Sequence, residues 1–177
     1  MSSESQNSTS ISALPVALDR DGFVRSVLRE LAGTLQDVVG TEDAAGFISV
    51  VGQHIGDDLN EQYRAALGVS ALDRGQVAEV LVDLKRRIQG DFTVTHASDA
   101  RIELTNTRCP FGDKVLDRPT LCMMTSNVFG SIAAENLGYA RVVLHETIAE
   151  GHGRCHVVVH LDPSGAAEDH GREYFMR

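Results

Sequence analysis

Three cysteines are the residues of this chain best equipped for chemistry. They stand in Arg108-Cys109-Pro110-Phe111-Gly112-Asp113, in Leu121-Cys122-Met123-Met124 and in Gly153-Arg154-Cys155-His156. Each falls where the local pattern changes: Cys109 leaves a strand-like run, Cys122 lies near the start of a helix, and Cys155 opens the last strong strand. Thiolates are nucleophiles and soft metal ligands, so a site assembled from three distant segments would be a ligand, metal or redox centre. Zinc takes four tetrahedral ligands from thiolate, imidazole and carboxylate. Cys109, Cys122 and Cys155 would supply three, and His145, Glu146 or His152 the fourth. An iron–sulfur cluster held by three cysteines and one further ligand satisfies the same count. Twelve and thirty-two residues separate the cysteines, which is no C-x-x-C knuckle. Spacing therefore leaves open the plain alternative, small apolar core residues.

Cys122 follows Pro119 by three positions, inside the first turn of the expected helix. Unpaired backbone N–H groups there favour a thiolate, which makes Cys122 the candidate redox position; burial against Phe129 and Ile132 would instead keep it a neutral thiol. If the last hairpin pairs around Gly151, His145 falls opposite Val157 and shares a face with Cys155, while His156, Val158 and His160 share the other face with Glu146. A slip of one residue reverses these groupings. No G-x-S-x-G elbow, H-E-x-x-H or phosphate-binding loop is present. A Cys155–His145 nucleophile pair remains as the enzymatic alternative, since such pairs are spatial rather than sequential. Asp57-Asp58 reads as solvated charge on a helix surface.

These groups need a scaffold, and the chain provides one domain's worth. Its 177 residues suffice for a single core, and 42% hydrophobic with 23% charged residues is ordinary for a globular chain. A net charge of -9 without a basic face argues against nucleic acid, whose phosphates need one. No apolar run reaches the length of a membrane helix, and the first residues lack a basic-then-apolar signal pattern. The expected setting is the cytoplasm, where thiols stay reduced; an odd cysteine count also speaks against a disulfide framework.

Residues 1–17 read as a flexible leader rich in serine, residues 18–162 as one domain, and residues 163–177 as a loose tail. Phe23, Val27, Leu31, Leu35 and Val38 recur at helical spacing and give one apolar face, and Phe47, Val50, Val51, Ile55, Leu59 and Tyr63 are the expected inward face of the next helix; together they offer more apolar surface than one small sheet can cover. Gly52 and Gly56 would let another helix approach. A third helix runs from near Asp73 to Gly90 with Val77, Val80, Leu81, Leu84 and Ile88 on one side. Residues 92–96 and 102–104 alternate as a hairpin. Pro119 opens a helix to about Gly138, and residues 142–148 and 155–161 form a second hairpin. Three helices, hairpin, helix, hairpin is the order of an α+β fold with helices on a four-stranded antiparallel sheet.

In that order the chain resembles the 4-vinyl-reductase superfamily, and within it the methanogen output domain family. The residues that carry the likeness are Cys109-Pro110-Phe111-Gly112, Leu121-Cys122-Met123-Met124, Phe129-Gly130, Ala134-Glu135-Asn136-Leu137-Gly138-Tyr139 and His145-Glu146-Thr147, followed by Gly153 and Cys155. They cover roughly residues 92–161. The resemblance implies a ligand-sensing or regulatory domain, often dimeric, in which several relatives hold zinc through cysteines and a glutamate. Aromatic-sensing members carry a Glu-x-x-Cys pair and a later cysteine in the final hairpin. This chain keeps Glu146 and Cys155 but has Ala149 three after Glu146, so Cys109 or Cys122 would have to complete a zinc site.

The expected function is a cytoplasmic signal-transduction domain that senses a small ligand, metal or redox state through Cys109, Cys122 and Cys155, with His145 and Glu146 as auxiliaries. Zinc or an iron–sulfur cluster is the expected cofactor, and a signalling protein and a second copy of the chain are the expected partners, without nucleic acid or membrane. The alternatives are a small-molecule hydrolase with a cysteine nucleophile and a ligand-free interaction module.

Overall fold

A computed structural model describes residues 11, 15–166 and 170–177; most of the expected leader lies outside the described residues. Helix α1 spans Arg20–Val39, α2 Thr41–Leu67 and α3 Arg74–Arg87. Strands β1 (Thr93–Ala97) and β2 (Arg101–Asn106) form the first hairpin. A short 3₁₀ turn at Pro119–Leu121 leads into α4 (Cys122–Leu137), and β3 (Tyr139–Glu146), β4 (Cys155–His160) and β5 (Arg172–Phe175) complete the sheet. The order is β1-β2-β4-β3-β5, with every pairing antiparallel. The architecture is the expected α+β arrangement with one strand more. β5 lies in the stretch read as a loose tail: it pairs with β3 and buries Tyr174, whose hydroxyl meets Ser126 Oγ at 2.9 Å. Four residues with one inward aromatic carry too little periodicity to stand out in sequence.

Local chemistry sets the boundaries. Asp19 caps α1 by accepting from Gly22 N at 2.9 Å, and Asp73 and Gln76 form a reciprocal capping box at α3. Gly68 ends α2 in the left-handed conformation that glycine adopts without a Cβ penalty. The main core lies between α3, α4 and the inner sheet face, built on Leu81, Ile102, Leu104, Phe129, Ile132 and Val159. Among the described residues no helix is long and apolar enough to cross a membrane.

The face of α2 departs from the expectation in its first half, whereas Leu59 and Tyr63 pack against the core as expected. Phe47, Val50, Val51 and Ile55 are exposed, as are Phe23, Leu31 and Val38. α2 turns Ser49, Gly52, Gly56 and Asn60 inward onto α4. The two glycines allow the approach: a Cβ on Gly52 would stand 2.9 Å from that of Asn127, and one on Gly56 3.1 Å from that of Ser131. Buried polar groups fix the register, Asn127 Nδ2 donating to Ser49 Oγ (3.0 Å) and Asn136 Nδ2 to Asn60 Oδ1 (2.7 Å). Hydrophobic periodicity alone picks the larger side chains, whereas close helix packing here selects the small ones.

Candidate functional site

The three thiols converge. Cys109, Cys122 and Cys155 all line one small cavity of about 30 Å³ beneath the segment 109–121. β2 brings Asn106 to the wall beside Cys155, its register partner on β4. The first two turns of α4 add Cys122 and Thr125, and Pro110, Phe111 and Val115 form the cover. All three cysteines are free and partly buried.

The environment holds these thiols neutral. Burial pushes the Cys122 thiol up to about 12, the neighbouring cysteines adding to the effect and a Thr147 hydrogen bond opposing it. Burial also raises Cys109, against backbone N–H groups of Phe111 and Gly112, and Cys155, whose Sγ accepts from Ile148 N at 3.4 Å. At the start of α4, desolvation is the largest influence on the Cys122 thiol.

Sequence reasoning missed the cation behind this wall. Lys85 is 4% exposed, and its Nζ donates to Thr125 Oγ1 at 2.7 Å. It also sits 5.4 Å from the Phe129 ring centroid and 5.8 Å from that of Phe92. Burial pulls its ammonium from 10.5 down to about 8, opposed by the three cysteines. The signal was present: Lys85 follows Leu81 by four positions and adjoins Leu84, on the apolar side of its helix. Asn106 was missed in the same way, being two residues beyond Leu104 on a strand whose inward positions are Ile102, Leu104 and Asn106.

His145 and Glu146 do not join the cysteines. A bulge in β3 at His145 leaves Leu144 opposite Val157 and Glu146 opposite His156, in place of the expected His145–Val157 pairing. The 3₁₀ turn Ile148–Glu150, capped by Thr147, lengthens the connection, and the bulge absorbs the change of register. Leu144 therefore lines the cavity, while the His145 ring stacks on His156 with centroids 5.1 Å apart. Glu146 pairs with Arg154 at 2.5 Å, and that guanidinium holds its carboxyl below the usual range. The imidazole and carboxylate expected as auxiliaries thus stand on the far face, and neither completes a zinc or iron–sulfur ligand set with the three cysteines. Among the described residues no group of three or more His, Cys, Asp or Glu is disposed to hold an ion.

With this geometry in view, known proteins give two kinds of match. The family described as methanogen output domain 1 matches residues 27–160. No curated protein matches significantly. Among solved structures, the phenol-responsive sensory domain of the transcription activator PoxR with phenol superposes with a TM-score of 0.61 at 16% identity, covering 82% of this chain and 76% of that one. A trafficking protein particle complex subunit 3 from Naegleria fowleri, covalently bound to palmitic acid, gives 0.59 at 14% identity, covering 88% and 99%. At these identities the likeness is one of fold.

Proposed function

We propose that this chain, which belongs to the methanogen output domain 1 family, is a cytoplasmic sensory and regulatory domain that binds a small apolar molecule in the cysteine-lined cavity and reports its occupancy through α1. The carrying observation is how the cavity's cover is held. Arg29 on α1 donates to Lys114 O (2.8 Å) and Leu116 O (2.6 Å), and Thr120 Oγ1 donates to Gln36 Oε1 (3.2 Å). The Arg118 guanidinium packs where a Cβ on Gly33 would be, 3.0 Å away. Leu121 lines the cavity on one side and an apolar groove between α1 and α2 on the other. A ligand larger than one or two waters has to lift this cover, and the cover is bonded to α1. The structural relatives solved with phenol and with palmitic acid support an apolar ligand for this fold.

The hydrolase alternative loses its base, because His145 stacks on His156 while Cys155 faces the cavity. A second copy of the chain and a signalling protein are the proposed partners, meeting the exposed faces of α1 and α2.

Methyl methanethiosulfonate tests the reading, since it places a methylthio group on a thiol and so fills the cavity covalently. Modification of Cys155 in a variant with Cys109 and Cys122 replaced by serine should speed amide exchange in 109–121 and α1 together, about fivefold or more. Glu146→Gln and His145→Ala should leave the labelling rate within about twofold, as groups on the other face. Exchange that changes only in the sheet would refute the coupling.

A further inference from the structure

One buried atom of the cavity wall has its bonding requirement unmet. Asn106 is 3% exposed, and among the described residues no group donates to its Oδ1. The amide orientation follows from this contact: Nδ2 donates to Arg108 O at 2.9 Å, an acceptor to which the amide oxygen could not bond. The oxygen is therefore the atom without a donor. Asn106 belongs to the inward face of β2 and lines the cavity with Cys155 and Thr125. A buried acceptor is nearly always satisfied by protein, water or ligand.

We propose that the cavity takes a small uncharged molecule with an apolar body and one hydroxyl group, the hydroxyl donating to Asn106 Oδ1. This rests on the cavity being the sensory site and specifies what the site selects. Thr125 supplies the complementary half. Its Oγ1 already accepts from Lys85 Nζ at 2.7 Å, so its own proton is available for the ligand oxygen. The wall thus reads a hydroxyl as donor and as acceptor. A carboxylate would set oxygen against the Asn106 oxygen, and an ammonium would face the Lys85 cation behind Thr125. The body of the ligand meets Phe92, Phe111 and the thiols, which are soft and apolar while neutral. Between ligands, a water on Asn106 Oδ1 fits the volume of about 30 Å³, and the ligand hydroxyl replaces it.

The experiment compares matched pairs on the whole chain by calorimetry: benzyl alcohol with toluene, and cyclohexanol with methylcyclohexane, with benzoate as the anionic control. Methanethiosulfonate labelling of the cysteines reports whether a bound molecule occupies the cavity. Each alcohol should bind about tenfold or more tighter than its hydrocarbon, because the hydrocarbon leaves the acceptor unmet. Asn106→Leu should reduce that preference to about threefold or less while still binding the hydrocarbon. In the parent protein, the Asn106 side-chain amide resonance should shift with the alcohols and not with the hydrocarbons, a readout independent of whether the variant folds. Equal affinities with thiol protection would overturn the hydroxyl selection and leave the cavity as the sensory site. Benzoate binding as tightly as benzyl alcohol would also overturn it. No binding and no protection would overturn both.

Discussion

Replacing Lys85 with methionine isolates the cost of burying an ammonium beside three thiols. The native state holds the Lys85 ammonium at about 8, against 10.5 for an unstrained lysine. Below pH 8 both native and unfolded chains carry the proton, and the native state bears the full penalty. Between pH 8 and 10.5 the native lysine is deprotonated while the unfolded one is not, so the unfolded chain binds more protons and stability rises with pH. At about 1.4 kcal/mol per pH unit, the parent should gain about 2 to 3 kcal/mol relative to Lys85→Met between pH 7 and pH 10. Cys109, Cys122 and Cys155 act oppositely, since their raised values keep native thiols protonated where unfolded ones ionise. They are present in both proteins, so the difference between the two profiles reports the lysine together with its coupling to Cys109 and Cys155. Urea unfolding in reductant at four pH values measures it, and the shift amounts to several degrees in Tm for a chain of this size. Parallel profiles would mean that Lys85 titrates as an exposed lysine, and the buried cation behind Thr125 would be wrong.

Two other outcomes test the packing. In Gly130→Ala the new Cβ would fall 2.1 Å from the Tyr174 ring; although alanine is the better helix residue, this overlap should destabilise the protein by about 2 kcal/mol, with protection of β5 lost first in hydrogen exchange. Nine large apolar residues on α1 and α2, from Phe23 to Ile55, are at least 38% exposed, on the order of 800 Å² in all and comparable to one side of a standard interface. Light scattering should therefore return a dimer at micromolar concentration, and Leu31→Glu with Phe47→Asp should return a monomer of unchanged helicity. A monomeric parent would refute that assembly.

Where several large apolar residues recur at strand or helix spacing, the fold was legible. The two hairpins, the helix after Pro119 and the stripe Val77–Leu81–Leu84 all lie where alternation and helical spacing place them. The reading failed where burial is carried by small or polar groups. α2 buries Ser49, Gly52, Gly56 and Asn60 in preference to Phe47 and Val51, because glycine and hydrogen-bonded amides let two backbones approach. The same limit explains the site. The cysteines converge as their places at segment boundaries indicated, yet Asn106 and Lys85 were hidden by the rule that such residues face water. His145 and Glu146 were misplaced by a bulge, which no period-two pattern encodes.

The three thiols share a cavity in which an ion has little to bind and an apolar group has much. Metal coordination needs thiolates, and burial, the largest influence on each cysteine, favours the neutral thiol, while backbone N–H groups, Thr147 and Lys85 oppose it only in part. The Ala149 methyl, 2% exposed, packs with Leu121 and Val115 under the cover. It adds an apolar contact to the segment joining the cavity to α1. A wall built this way favours small, soft, uncharged occupants, and Asn106 and Thr125 are the polar groups left to tell one such occupant from another.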